Sequence, residues 1–236
     1  MTGSAERPER LYGGQSAEER RIDRQRRLLA AGLERYGTQG FRVTTVSDLC
    51  RTAGVAPIHF YEEYAGREAL LEAVYDEIMA ATRAEVDAAA ARAATDLRSR
   101  SRVGLEAFCH ALLDDPRRAR VQCLEVVGVS PAMEARRHEG LLRYATMLVD
   151  FFVVSNADAR PTGPQTEPWA GGGERAAIDA LPALRTLAVA LVGGVNEALI
   201  DWLLEPAGRP ISSLVDTLSD LFIATGEYLS RTPDES

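Results

Sequence analysis

The sequence predicts an all-α fold, and three observations carry that prediction. Apolar side chains recur at helical spacing, as in Leu70, Val74 and Ile78. No segment alternates apolar and polar residues with the two-residue period of a strand. Helix start and stop signals are frequent: a Thr45–Asp48 capping pair, Gly54, and Pro57, Pro116 and Pro131, each fitting a first helical turn that needs no backbone donor. The chain has 236 residues, 46% of them hydrophobic, enough for one two-lobed domain or two small ones with a sizeable core.

Residues 1–19 lack the apolar core of a signal segment and read as a flexible arm. The next helix carries Ile22, Leu29, Leu33 and Tyr36 on one stripe, with Arg20, Arg24 and Arg27 nearly opposite, and Gly37 and Gly40 end it. From Val43 to Leu71 two very short helices flank a tight turn. Thr45 and Asp48 open the first, and Val46, Leu49 and Ala53 form its apolar face. Gly54 sits where a left-handed C-cap would close it. Pro57 starts the second, and Phe60, Tyr61 and Tyr64 follow. Helices this short cannot bury a core of their own. The unit therefore serves to present its second helix, as a helix-turn-helix does to the DNA major groove.

These residues resemble the TetR family of transcriptional regulators. The parts that carry the resemblance are Thr45-Val46-Ser47-Asp48-Leu49, Ala53-Gly54-Val55-Ala56, Phe60-Tyr61-Glu62-Glu63-Tyr64 and Arg67-Glu68-Ala69-Leu70-Leu71, within a stretch from Ile22 to about Ile78. The chain departs from the family pattern at Ala56, where a capping Ser is common, and at His59, Glu62 and Glu63; these departures bear on base preference, not on fold. The resemblance implies that Thr44, Thr45, Ala56, Pro57, His59, Phe60, Tyr61, Tyr64 and Arg67 meet DNA or hold the recognition helix against it. Arg24, on the basic face of the preceding helix, joins them. His59 is suited to a base edge, Tyr61 to donating its hydroxyl to a phosphate, and Arg67 to adding charge at a helix start. Phe60 and Tyr64 read better as packing beneath the recognition helix. The resemblance also implies a C-terminal body that dimerises and binds a small-molecule effector, and repression relieved when the effector spreads the two heads.

Residues 20–66 are thus expected to be the DNA-binding domain and 67–236 a helical effector-binding and dimerisation body. A long helix from Arg67 to about Arg92 is the expected lever between them. Val103, Phe108, Leu112 and Leu113 suggest another helix; Pro116 and Pro131 start two more. Asn156 to Gly173 reads as a loop, and Gly171-Gly172-Gly173, with no phosphate-loop lysine after it, as a linker. Leu184, Leu187, Leu191, Val195 and Trp202 stripe a penultimate helix. Pro206 to Pro210 breaks the chain, and Ile211, Leu214, Leu218, Leu221, Phe222 and Tyr228 mark a final amphipathic one. Two such helices form an antiparallel hairpin, and two hairpins across a two-fold axis form a dimer interface, with Leu218 a candidate to face the partner. An effector pocket is expected from Phe108, Glu125, Met133, Tyr144, Met147, Phe151 and Trp202, with the polar groups fixing ligand orientation.

The net charge of −8 opposes nucleic-acid binding until its distribution is considered. Between Arg20 and Arg42 lie seven arginines and only Asp23 and Glu34, while residues 71–236 are net acidic. All basic residues are arginine. Three scattered cysteines, Cys50, Cys109 and Cys123, suit reduced thiols and a cytoplasmic protein. No apolar run is expected to reach the length of a membrane span. Cys109-His110, His138 and Cys123 do not make a ligand spacing, and no catalytic signature emerges. The reading is a homodimeric regulator of double-stranded DNA that answers to a small molecule, with no cofactor, no metal, no membrane and no enzyme activity. The competing reading is a helical small-molecule-binding protein or enzyme whose head no longer reads DNA, which Ala56, Glu62 and Glu63 keep open.

Overall fold

Ser16 opens the first helix: its hydroxyl accepts the Glu19 N–H and the Glu19 carboxylate accepts its own. That helix, α1, runs Ala17–Thr38 and so begins inside the stretch expected to be a loose arm. The computed structural model describes residues 16–93, 96–157, 182–205 and 209–231. The rest of the expected arm, residues 158–173 of the expected loop with its glycine run, and residues 206–208 lie outside the described residues. All regular structure among those described is helical: α2 (Val46–Ala53), α3 (Pro57–Glu63), α4 (Arg67–Ala90), α5 (Leu97–Leu113), α6 (Pro116–Arg120), a π-helical turn (Val121–Glu125), α7 (Pro131–Ala157), α8 (Pro182–Leu204) and α9 (Ile211–Arg231).

The chain divides into two compact units, Met1–Val74 and Tyr75–Ser236. In the first, the inward stripe of α1 is Leu28, Ala31, Gly32 and Tyr36. This corrects the expected stripe, since Ile22 is 54% exposed. Counting large apolar residues placed the stripe one position off, because two of its members are Ala and Gly. Gly32 is there for close approach: a Cβ on it would stand 2.7 Å from Val74 Cγ2. Gly37 lies within α1 rather than ending it; Gly40, with φ of 96°, makes the turn that follows. The Thr45–Asp48 capping box closes as expected, and Gly54 takes the left-handed conformation at φ 62°.

In the second unit α5 packs on α9 and α7 on α8. Leu112, Val121, Val126, Met133 and Leu199 are among its fully buried side chains. Gly140 of α7 sits against Tyr75 of α4, with the Arg136–Asp76 ion pair alongside. Leu184–Leu204 is long and apolar enough, by length and composition, to cross a membrane, which corrects the expectation of no such run. It packs here as a helix of the body and buries Ala188, Leu191, Val195 and Leu199. Leu218, the candidate to face a partner, is 5% exposed within its own unit, whereas Leu221 is 45% exposed.

The close approach at Gly32 generates a test. Gly32→Leu gains helix propensity but drives a side chain into stiff, β-branched Val74. We expect it to destabilise the first unit by about 2 kcal/mol or more in denaturant unfolding, within the range for overpacked cores.

Candidate functional site

The first candidate surface is the exposed face of α3. Phe60 is fully buried and fixes the helix's roll. Its ring meets Tyr61 edge-on at 5.4 Å and Tyr64 at 6.0 Å. Residues two apart on a helix point to nearly opposite sides, so Ile58 must face outward, and it is 69% exposed. Tyr61 is 59% exposed, and Ala56, Pro57 and Glu62 are exposed beside it. His59 Nδ1 lies 2.8 Å from Glu62 Oε2, so the side chain suited to a base edge already has a carboxylate partner on its own helix. Val43, 67% exposed, and Arg42 extend the surface ahead of α2. The sequence reading missed Ile58 and Val43 as outward residues; the two-residue offset of Ile58 from Phe60 was the available signal.

What holds α3 is a buried carboxylate. The Glu63 side chain is only 3% exposed and receives Arg21 Nε at 3.2 Å, Arg24 Nη2 at 3.2 Å and Gln25 Nε2 at 2.8 Å. All three donors come from α1. Arg24 therefore serves the interior of the head rather than standing free for DNA. The same holds for other expected contacts. Thr44 is fully buried, its hydroxyl donating to the Gly40 carbonyl at 2.7 Å. Arg67 Nη1 donates to the carbonyls of Phe41, Arg42 and Thr44, its guanidinium lies 4.6 Å from the centre of the Phe41 ring, and its own carbonyl accepts Tyr36 Oη at 2.7 Å. Arg67 thus staples the turn before α2.

The basic cluster is likewise largely spent within the head. Arg26 and Arg27 pair with Asp23, Arg35 with Asp48, and Arg27 Nη1 donates to the carbonyls of Ala53 and Gly54. Thr45 is exposed, but its hydroxyl is engaged with Asp48. Those hydrogen bonds from Thr45 hold the Asp48 carboxyl down at about 2. Ala56 caps α3 with no side-chain hydrogen bond.

The second candidate is a cavity in the body of about 120 Å³, lined from α4, α5, the π turn, α7, α8 and α9. Phe108, Tyr144 and Met147 line it, together with Leu105, Val195 and Phe222, among others. Phe108 and Tyr144 meet edge-to-face at 5.4 Å. The other expected pocket residues lie elsewhere. Met133 is fully buried at the start of α7, packed as core. Glu125 closes the π turn by accepting Arg120 Nε at 2.9 Å. Trp202 does not line the cavity, and the Phe151 side chain lies outside the described ones. The reading missed Gln122 and Ser101, which do line it, because the π turn that carries Gln122 shifts helical phase and no simple periodicity reports it. Burial pushes the Cys109 and Cys123 thiols up to about 12, with Glu197 adding to the effect at Cys123. Among the described residues no cluster could hold a metal ion.

Residues 28–74 match the family model described as bacterial regulatory proteins, tetR family. In fold the chain is similar to the fatty acid degradation regulator FadR from Bacillus halodurans, with a TM-score of 0.69 at 16% identity over 84% of this chain and 94% of that one. It is similar to the transcriptional regulator FadR from Bacillus subtilis in complex with stearoyl-CoA, with a TM-score of 0.64 at 17% identity over 84% of this chain and 96% of that one. It is also similar to the MbdR regulator from Azoarcus sp. CIB, with a TM-score of 0.61 at 15% identity over 84% and 96% of the two chains. No curated protein matches the chain.

The uncapped start of α3 offers a direct check of the local energetics. Ala56→Ser supplies the missing acceptor at an exposed position and is expected to raise head stability by about 0.5–2 kcal/mol in denaturant unfolding.

Proposed function

We propose that this chain, whose residues 28–74 match the tetR family model, is a DNA-binding transcriptional regulator whose body takes up a small molecule. The observation that carries the reading is the pairing of two features: an outward α3 face clamped from behind by Glu63, and a body cavity with polar groups set in an apolar lining. In this reading the functional partner is double-stranded DNA and the compartment the cytoplasm. No catalytic role is assigned to any residue.

In this reading Ile58, His59 and Glu62 face base edges. An isoleucine suits the thymine methyl and a glutamate accepts from cytosine N4, while Tyr61 and Arg42 serve phosphates. The protein acts as a homodimer through α8 and α9, whose exposed apolar residues Leu204 and Leu221 need cover. It represses until a ligand favours the DNA-incompetent state. A hundredfold preference between the two states is about 2.7 kcal/mol of coupling, within the usual allosteric range. Fold likeness to a regulator crystallised with stearoyl-CoA supports a ligand-receiving body.

Binding of full-length protein to DNA from its own promoter region tests the reading. With most head arginines paired internally, about four phosphate contacts per dimer remain, so affinity should fall roughly 100-fold between about 50 and 200 mM salt. Tyr61→Phe should weaken binding to all sequences alike, whereas His59→Ala should change preference at one or two base positions by about 1–3 kcal/mol. Loss of DNA binding at low salt to every promoter fragment would instead favour the reading in which the head no longer reads DNA.

The dimer has its own check. Leu221→Arg should convert the dimer to a monomer in sedimentation without lowering the melting temperature of the protomer, because Leu221 is exposed in the protomer. A wild-type protein that sediments as a monomer at micromolar concentration contradicts the assignment.

A further inference from the structure

The body cavity holds three polar atoms with no well-formed hydrogen bond in the protein, Ser101 Oγ, Gln122 Oε1 and Tyr144 Oη, although Gln122 and Thr82 lie close enough to the Tyr144 hydroxyl to interact with it. Their residues are 2%, 8% and 9% exposed, so each is shut away from bulk solvent. Buried polar groups are nearly always satisfied, and orphans in a native structure call for an explanation. Trp202 Nε1 and Ser219 Oγ are unpaired elsewhere in the body, but these three line one cavity.

The remaining lining is largely apolar: Val86, Leu105, Leu148, Leu199 and Phe222 are all buried beside them. Among the described residues no Asp, Glu, Arg or His lines it. Gln122 belongs to the π turn, a rare geometry that recurs at functional sites because it re-aims a side chain.

We propose that this cavity takes a compact, uncharged, largely apolar molecule of about single-ring size, whose hydroxyl or carboxamide head is gripped by Tyr144, Gln122 and Ser101. The inference rests on the body being the ligand-binding part of the regulator and names the class of its ligand. Size follows from volume: at about 120 Å³ the cavity is comparable to the roughly 150 Å³ apolar void that takes up benzene in another protein.

Charge follows from the lining. A carboxylate or ammonium would enter an apolar site with no counter-ion and lose its hydration. The head group follows from the orphans. Gln122 Oε1 accepts, so the ligand must donate. The Tyr144 phenol can donate as well as accept, so a ligand that also accepts engages it fully. Burial pushes the Tyr144 pKa well above the ordinary tyrosine value, only partly offset by hydrogen-bonding interaction with the Gln122 and Thr82 side chains, so the phenol stays neutral at any physiological pH. A hydroxyl or a carboxamide meets both demands from one end of a ring; a hydrocarbon meets neither.

Calorimetric titration of the full-length protein with p-cresol, benzamide, toluene, benzoate and stearoyl-CoA tests the class. The expected order is p-cresol and benzamide tightest, toluene weaker by roughly tenfold for the lost hydrogen bonds, and benzoate weaker still at neutral pH. Tyr144→Phe and Gln122→Leu should each cost roughly tenfold for p-cresol and benzamide while leaving toluene unchanged, a split that a merely structural role would not produce. Melting curves of both variants establish that they fold. A second handle is Gly104→Leu: Gly104 lines the cavity, a Cβ there meets no atom within 4 Å, and the added side chain should exclude every probe from a folded protein.

Toluene binding as tightly as p-cresol, or p-cresol binding untouched by either polar substitution, overturns the head-group assignment. Preference for benzoate or stearoyl-CoA overturns the ligand class, and no binding by any probe overturns the site. Promoter-DNA binding measured in the same preparation separates the two readings. Intact DNA binding with no probe uptake fails this inference alone. Probe uptake with no DNA binding fails the regulator reading and leaves the site standing.

Discussion

The α3 helix cannot hold itself in place. It has seven residues and no side-chain cap, and isolated helices of that length do not persist in water. Its position depends on the Glu63 carboxylate, buried at its C-terminal end and bound by Arg21, Arg24 and Gln25 of α1. Phe60 supplies the apolar plug and Glu63 the polar latch. A carboxylate at 3% exposure without those donors would be an uncompensated buried charge. The orientation of the reading face therefore follows from one ionic cluster, and so does the internal use of Arg21 and Arg24, two of the arginines that first suggested a basic DNA-binding surface.

The staple at Arg67 works by the same logic on the other side of the helix-turn-helix. One guanidinium satisfies three turn carbonyls and lies over Phe41, while Tyr36 reaches the Arg67 carbonyl. These contacts leave Ile58, Tyr61 and Glu62 as the outward side chains of α3, with Arg42 the exposed arginine ahead of α2. Such a surface gains less from phosphate charge than most DNA readers and depends more on base-edge contacts. In the body the balance is reversed: packing is largely apolar, and three of the polar groups left unpaired are gathered at the cavity.

Much of this was legible in the sequence, for physical reasons that can be stated. Helix ends are written in short-range chemistry, so the Thr45–Asp48 box, Gly54, Pro57, Pro116 and Pro131 marked true boundaries. Helix interiors were read less well. The α1 stripe was misplaced because Gly32 and Ala31 pack by being small, which no hydrophobicity count rewards. The destinations of charged side chains were not legible either: Arg24 and Glu63 meet across 39 residues of sequence and Arg67 reaches back 26 to Phe41, and nothing local announces those partners. Of the expected cavity residues, Phe108, Tyr144 and Met147 were readable as aromatic and flexible side chains on inward faces. Gln122 and Ser101 were hidden, one by the π turn and one by its small size.

The measurement that bears most directly on the account compares Glu63→Gln with Glu62→Gln in promoter-DNA binding and in denaturant unfolding. The two carboxylates are neighbours in sequence with opposite environments, one buried under three donors and one 51% exposed beside His59. The account predicts that Glu63→Gln lowers head stability and DNA affinity together, by about 3 kcal/mol or more in stability as expected for a broken buried charge cluster. Glu62→Gln should leave stability unchanged and alter which sequences bind. Full DNA affinity and unaltered stability in Glu63→Gln would contradict the claim that this buried carboxylate positions the reading helix.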